Sequence, residues 1–209
     1  MIDQPKTSLQ SVTRQRLASA SIHQRMAFHN GNIYDGEFID GLYQGHGKYT
    51  WALGTVYEGD WVAGKRNGVG TYTHTSGAVY AGDWVADERH GVGRYTYPDG
   101  AIYEGDWKNG KRTGNGMSRH ASGAVYEGEF LNGQRQGNGI STLADGTVFE
   151  GTWLHGKLNG SGGYRYPSGE SYNGDFVDGK RHGSGVYTSS QGTVIEGQWH
   201  DGARVKGGI

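Results

Sequence analysis

Tyr34, Tyr57, Tyr80, Tyr103 and Tyr126 stand 23 residues apart. The stretch after each is a variation on Tyr103-Glu104-Gly105-Asp106-Trp107-Lys108-Asn109-Gly110-Lys111-Arg112-Thr113-Gly114-Asn115-Gly116. A fixed period of this length confines a chain to architectures in which each unit buries its apolar face against the next, so it outranks every other signal. Full units start at residues 34, 57, 80, 103, 126, 149 and 172, a half unit occupies 28–33, and a partial unit starts at Ile195, with no insertion or deletion. The sequence thus divides into a non-repeating segment, 1–27, and a repeat array, 28–209.

Within each unit the third residue is Gly and the fifth is aromatic: Phe38, Trp61, Trp84, Trp107, Phe130, Trp153, Phe176 and Trp199. Tyr57, Gly59 and Trp61 alternate with Glu58 and Asp60. Period two means a strand with two chemically distinct faces. Gly64 ends this strand, Lys65-Arg66-Asn67 reads as a polar loop, and Gly68-Val69-Gly70 opens a second run through His74. Two short runs joined by a Gly-bearing loop make a β-hairpin. The expected fold is all-β: an elongated single-layer twisted antiparallel sheet of stacked hairpins, about 75 Å long at normal strand spacing.

Interior Gly weakens a strand unless something must approach closely. We therefore expect the fifth-position rings to cover bare backbone such as Gly59 and to form a structural aromatic ladder. Tyr49, Tyr72, Tyr95, Tyr164 and Tyr187 share one position of the second strand and are candidate partner contacts. Ser118 and Ser141 replace that Tyr in the two central units.

Forty Gly and only 33% hydrophobic residues suit low complexity, but 14 Tyr and 6 Trp argue for packed structure. A net charge of −1 gives no broad attraction to nucleic acid or anionic membrane. The chain has no Cys, so neither a disulfide nor a thiolate metal site forms. His90 and His182 share a unit position but lie too far apart to hold one ion, and Gly45-His46-Gly47 precedes no helix, as a phosphate loop must. Carboxylate pairs such as Glu104 with Asp106, or Glu127 with Glu129, recur in nearly every unit, whereas a catalytic constellation is a singular site. They read as a solvated strand face. No catalytic residue, cofactor or metal is expected.

Residues 1–27 carry Lys6, Arg14, Arg16 and Arg25 against Asp3. Leu9, Val12, Leu17, Ile22 and Met26 trace a weak helical stripe. The expectation is a basic tail, either flexible or an amphipathic helix over roughly Ser8–Arg25 that docks on the sheet or on a partner, with Arg14, Arg16 and Arg25 as candidate contacts to the array's own acidic face or to an acidic partner. No apolar run approaches the ~20 residues of a membrane span, and the start lacks the apolar core of a secretory signal.

Tyr-Glu-Gly-Asp-Trp, then Gly-Lys-Arg-x-Gly-x-Gly and a closing Gly, as in Tyr57–Gly77 and Tyr103–Gly123, closely resembles the MORN repeat. The resemblance implies a twisted sheet of hairpins with a shallow groove, and scaffolding through an amphipathic partner helix in the groove or neighbouring subunits of a large assembly. It also implies a cytoplasmic, cytoskeletal or ciliary setting and end-to-end dimerisation; the open strand edge near Ile195–His200 makes the C-terminal end the expected homodimer contact. The alternative it raises is anionic phospholipid held by basic loop edges, with Lys65, Arg66, Lys111, Arg112, Lys180 and Arg181 as lipid contacts. Departures from the pattern, such as Ala81, Asp87-Glu88, Leu42-Tyr43 and Lys157-Leu158, are the positions where this array is expected to become specific for one partner, against neutral drift as the alternative.

Overall fold

The computed structural model describes residues 20–205, which form a single open antiparallel sheet of 17 strands with no helix. The strands pair in chain order. β1 (Ile22–Ala27) lies against β2 (Ile33–Ile39), which pairs with β3 (Leu42–Thr50), and so through β4 (Val56–Val62) and β5 (Lys65–Thr73) to β16 (Val194–His200) and the short β17 (Ala203–Arg204). Each 23-residue unit contributes one hairpin. The next unit adds its first strand to the free edge of that hairpin, with Tyr49 opposite Tyr57 and Gly47 opposite Gly59.

Among the described residues the sheet begins at Ile22, six residues before the expected boundary at Phe28. Arg25 lies opposite Asp35, and Ser21 Oγ donates to Glu37 Oε2 at 2.7 Å. The C-terminal part of the expected helical stripe is therefore strand, because the open edge of β2 offers unpaired backbone groups to the adjoining chain. The rest of the stripe, with Arg14 and Arg16, lies outside the described residues.

The hairpin loop is shorter than the sequence reading placed it. Asn109 and Gly110, with φ of 50° and 74°, form a two-residue turn. Such turns match the twist of the flanking strands. Lys111 and Arg112 therefore already belong to the second strand (Lys111–Arg119), as Lys65 and Arg66 belong to β5. Consecutive strand residues point to opposite faces, so each Lys–Arg pair divides between the two sides of the sheet. Arg66 stands opposite Trp61 and Lys65 opposite Val62.

The core is one face of the sheet. Tyr34, Tyr57, Tyr80, Tyr103, Tyr126 and Tyr172 are buried to 0–1% exposure, and the fifth-position rings to 3–6%. The first- and fifth-position rings form one buried cluster, and their arrangement differs from the expectation. The ring over the glycines is the first-position Tyr, not the fifth-position Trp. A Cβ on Gly116 would lie 2.6 Å from Tyr103 Oη and 2.8 Å from the ring. The Tyr103 hydroxyl donates to the Asp106 carbonyl at 3.0 Å. Trp107 stands on edge between Tyr103 and Tyr80, at 5.2 and 5.3 Å, and its Nε1 donates to the Gly93 carbonyl at 3.0 Å. A Tyr is flat enough to lie along two facing glycines, whereas the indole has a donor that must reach a carbonyl.

Candidate protein-binding face

The aromatic face has a buried floor and a half-buried margin. Tyr49, Tyr72, Tyr95, Tyr164 and Tyr187 form the margin, each packed against the core but still partly solvent-facing. Further aromatics lie beside them: Trp51 at 4.6 Å from Tyr49, Tyr97 at 4.5 Å from Tyr95 and Tyr166 at 5.0 Å from Tyr164. The sequence reading missed this second row. Its signal was the recurrence of Trp51, Tyr97 and Tyr166 at one position of the unit. Together the two rows make a stripe of flat, amphipathic surface with few rotatable bonds, the kind of side chain that anchors partners at low entropic cost.

The unit arginines belong to this face. Arg66 stacks 4.3 Å from Trp84, and Arg181 4.2 Å from Trp199. Their Nη2 atoms donate to the Asp87 and Gly202 carbonyls at 3.0 and 2.7 Å. Arg112 is 5.3 Å from Tyr103 and donates to the Gly133 carbonyl at 2.6 Å. These arginines knit one hairpin to the next turn and are half-buried, so they do not form a cationic loop edge. Repeat three has Asp87 where other units carry Gly, at φ 75°. Asp87 Oδ1 accepts from Arg66 N and Nε at 3.0 and 3.1 Å, which offsets the strain of that backbone.

The opposite face is the carboxylate side, and its two acidic rows differ. Second-position acids pair with neighbouring strands, as Glu58 with Lys48 and Glu104 with Arg94, each at 3.3 Å. Fourth-position acids are structural. A bulge interrupts each hairpin, and in the fourth repeat Gly114 adopts φ 53° there. The Asn115 amide, freed from the ladder, donates to Asp106 Oδ2 at 2.9 Å. Asp60, Asp83, Glu129 and Asp175 serve Val69, Val92, Asn138 and Ser184 in the same way. These acids cap the bulge rather than merely solvating the sheet. Lys65, Lys111 and Lys180 lie on this face, exposed, in a row with Val62, Leu131, Leu154 and Val177.

Repeat six departs from the others. Phe149 replaces Tyr, Leu158 replaces Arg, and Thr152 replaces the fourth-position acid. Leu158 is 4% exposed and fills space beside Gly162, while Phe149 is only half-buried. At the C-terminal end, Ile195 supplies no ring for Gly197. Arg204 folds over that glycine and donates to the Glu196 carbonyl at 3.1 Å, a charged shield on part of the open edge.

Among the described residues, no group of three or more His, Asp or Glu is placed to hold a metal ion, and no helix is long and apolar enough to cross a membrane.

No curated protein matches the chain. Among solved structures it is similar to the TCP domain of Drosophila melanogaster SAS-4 (dCPAP), in complex with a proline-rich motif of Ana2 (dSTIL), at 8% identity and TM-score 0.44, covering 93% of this chain and 97% of that one. A mutant TCP10 domain of Danio rerio CPAP matches at 14% identity and TM-score 0.32, covering 84% and 99%. Overlap at these TM-scores carries nothing about function. The family model of the MORN repeat matches residues 34–56, 57–79, 80–102, 103–125, 126–148, 149–171, 172–194 and 196–205. The chain belongs to the MORN-repeat family.

Proposed function

We propose that the chain is a non-catalytic scaffold that holds a partner segment, an amphipathic helix or the surface of a neighbouring subunit, on its aromatic face. The observation that carries this reading is the half-exposed margin formed by Tyr49, Tyr72 and Tyr95 and resumed by Tyr164 and Tyr187 beyond the gap at Ser118 and Ser141, above a packed floor. These rings are held in place by the core yet keep open surface, so a partner gains contact area without ordering them. The setting that goes with this role is a cytoplasmic cytoskeletal, ciliary or flagellar assembly, by association with the family. The C-terminal end of the array is the candidate homodimer contact. Quantitative capture from native cells tests the role: replacing Tyr72 and Tyr95 by Ser must deplete specific partners while circular dichroism stays unchanged. Equal capture by both proteins refutes the reading.

A second reading has one specific observation in its favour. Lys65, Lys111 and Lys180 share a face and a row with exposed Val62, Leu131, Leu154 and Val177. Each Lys near an anionic bilayer contributes ~1 kcal/mol. The arginines of the original lipid set lie on the other side, which halves its charge. Salt-sensitive co-sedimentation with phosphatidylserine vesicles, lost on Lys→Glu changes in this row, supports peripheral membrane binding.

A further inference from the structure

The aromatic face has one break, and two arginines meet in it. Four of the five unit arginines donate to a carbonyl in the following turn: Arg66 to Asp87, Arg89 to Gly110, Arg112 to Gly133 and Arg181 to Gly202. Arg135 has a different partner. Its Nη1 donates to Ser141 Oγ at 3.3 Å, and its guanidinium lies 4.6 Å from Tyr126 and 5.5 Å from Trp153. In repeats two, three and seven the order is reversed, with the next Trp at 4.3, 4.5 and 4.2 Å and the unit's own Tyr at 5.7, 5.7 and 5.8 Å. The cause is local. Tyr72, Tyr95 and Tyr187 lie 5.6, 5.3 and 5.5 Å from their arginines and hold them against the Trp. Repeats four and five have Ser118 and Ser141 in that position: Arg112 keeps its carbonyl tie and lies midway, 5.3 Å from Tyr103 and 5.4 Å from Phe130, while Arg135 gives up the tie and settles inward.

A cavity of about 420 Å³ lies beside the missing ring of Ser118, lined by Tyr97, Arg112, Ser118, His120, Phe130 and Arg135 among others. Arg119 and Asp99 also border it, and Asp99 Oδ1 already accepts from the Ala101 amide at 3.0 Å. Among the described residues no carboxylate comes within ion-pair distance of Arg112 or Arg135, whereas Arg66 has Asp87 at 3.1 Å. Burial pulls the Arg135 pKa below the usual arginine range; the Tyr126 ring opposes that pull and the Arg112 charge adds to it. Two neighbouring, partly dehydrated cations without a counter-ion favour a bound anion.

We propose that this cavity binds an oxyanion presented on a short apolar arm by a partner polypeptide, either a carboxylate side chain or a phosphorylated one. Guanidinium forks take carboxylate or phosphate oxygens in pairs, and Phe130 with Tyr97 packs the arm. A bilayer headgroup fits less well, because both arginines are half-buried in this face while the exposed lysines point the other way. The inference rests on the aromatic face being the partner-binding side and names a recognition element within it.

The test is a titration of the full chain with 3-phenylpropionate and with phenyl phosphate, using uncharged 3-phenylpropanamide as control, followed by arginine Nε–H resonances. The expected result is saturable shifts at Arg112 and Arg135 with at least one anion, and none at Arg66 or Arg181. The preferred anion identifies the source. Arg135→Gln should weaken binding at least ~tenfold, the loss of one charge-assisted hydrogen bond. Ser118→Tyr with Ser141→Tyr restores the residue of repeats two and three, so it should keep the fold and abolish binding. Absence of shifts, equal shifts at all five arginines, shifts with the amide, or unchanged binding in the double Tyr variant each overturns the inference. None of these outcomes alters the scaffold reading, which partner capture decides separately.

Discussion

Gly116→Ala is the sharpest probe of how the hairpins hold together. Gly116 has no positive φ, so an Ala there meets no backbone penalty. It meets Tyr103: the new methyl would sit 2.6 Å from Oη and 2.8 Å from two ring carbons. Tyr103 is fully buried and has Trp107 at 5.2 Å and Phe130 at 5.1 Å, both edge-on, so the ring has nowhere to retreat. Overpacking of this kind costs about 1–3 kcal/mol. Tilting the ring also weakens the hydroxyl bond to the Asp106 carbonyl, about 1 kcal/mol, and at least one edge-on pair, about 0.5–1.5 kcal/mol. The expected loss is about 2.5–5.5 kcal/mol, read from urea unfolding followed by Trp fluorescence and far-UV circular dichroism. A double-mutant cycle isolates the cause, because in a Tyr103→Ala background the methyl has room and should cost under about 1 kcal/mol. Equal costs in the two backgrounds refute the Tyr-over-glycine joint.

Asp106→Ala leaves the solvent-exposed Asn115 amide to water and should cost about 0.5–1.5 kcal/mol. Asp106→Asn keeps an acceptor and should cost less, which thermal melts of the pair will rank. Burial raises the pKa of Tyr34, Tyr103 and Tyr126 to about 12. An unfolded Tyr ionises near ~10, so their contribution to stability is complete below that pH and is lost as pH rises toward 12. Absorbance at 295 nm should show these tyrosines ionising late, together with unfolding; a single transition near 10 in the folded protein contradicts it. Repeat six lacks the Tyr hydroxyl, the Arg tie and the bulge-capping acid, so its amides should exchange hydrogen faster than those of repeats two to four. Phe149→Tyr with Leu158→Arg restores two of the three and should slow that exchange; unchanged rates contradict the account.

The period carried most of the fold into the sequence. Strict spacing of Gly59, Gly82 and Gly105 with Trp61, Trp84 and Trp107 is enough to define a hairpin, its stacking partner and the aromatic face. The turn was harder to place. Lys65-Arg66-Asn67 looks like a loop because it is polar, yet the two residues Ala63 and Gly64, with φ 49° and 80°, make the whole reversal. That shift puts Lys65 and Arg66 on opposite faces and so changes the lipid reading, since face assignment in a strand flips with every residue. The glycine cover was also misassigned. Tyr57 and Trp61 lie on the same face, and only the geometry shows that the phenol lies flat over Gly70 while the indole turns its edge to the Gly47 carbonyl. Asp60 and its equivalents were read as surface because alternation cannot reveal a bulge, and it is the bulge that frees the amide they accept. The substitutions Ser118 and Ser141 were visible in the sequence, but the inward move of Arg135 depends on which ring its neighbours rest against.

The central claim is that the aromatic face, and not the lysine face, meets the partner. Face-selective photo-crosslinking tests it most directly: a photoreactive residue is placed at Tyr72 in one protein and at Lys65 in another, and each is irradiated in native extract. These positions lie on opposite sides of one strand. The account predicts discrete crosslinked partners from position 72, reduced by Tyr95→Ser, and few from position 65. Crosslinks concentrated at position 65 and insensitive to Tyr95→Ser contradict it.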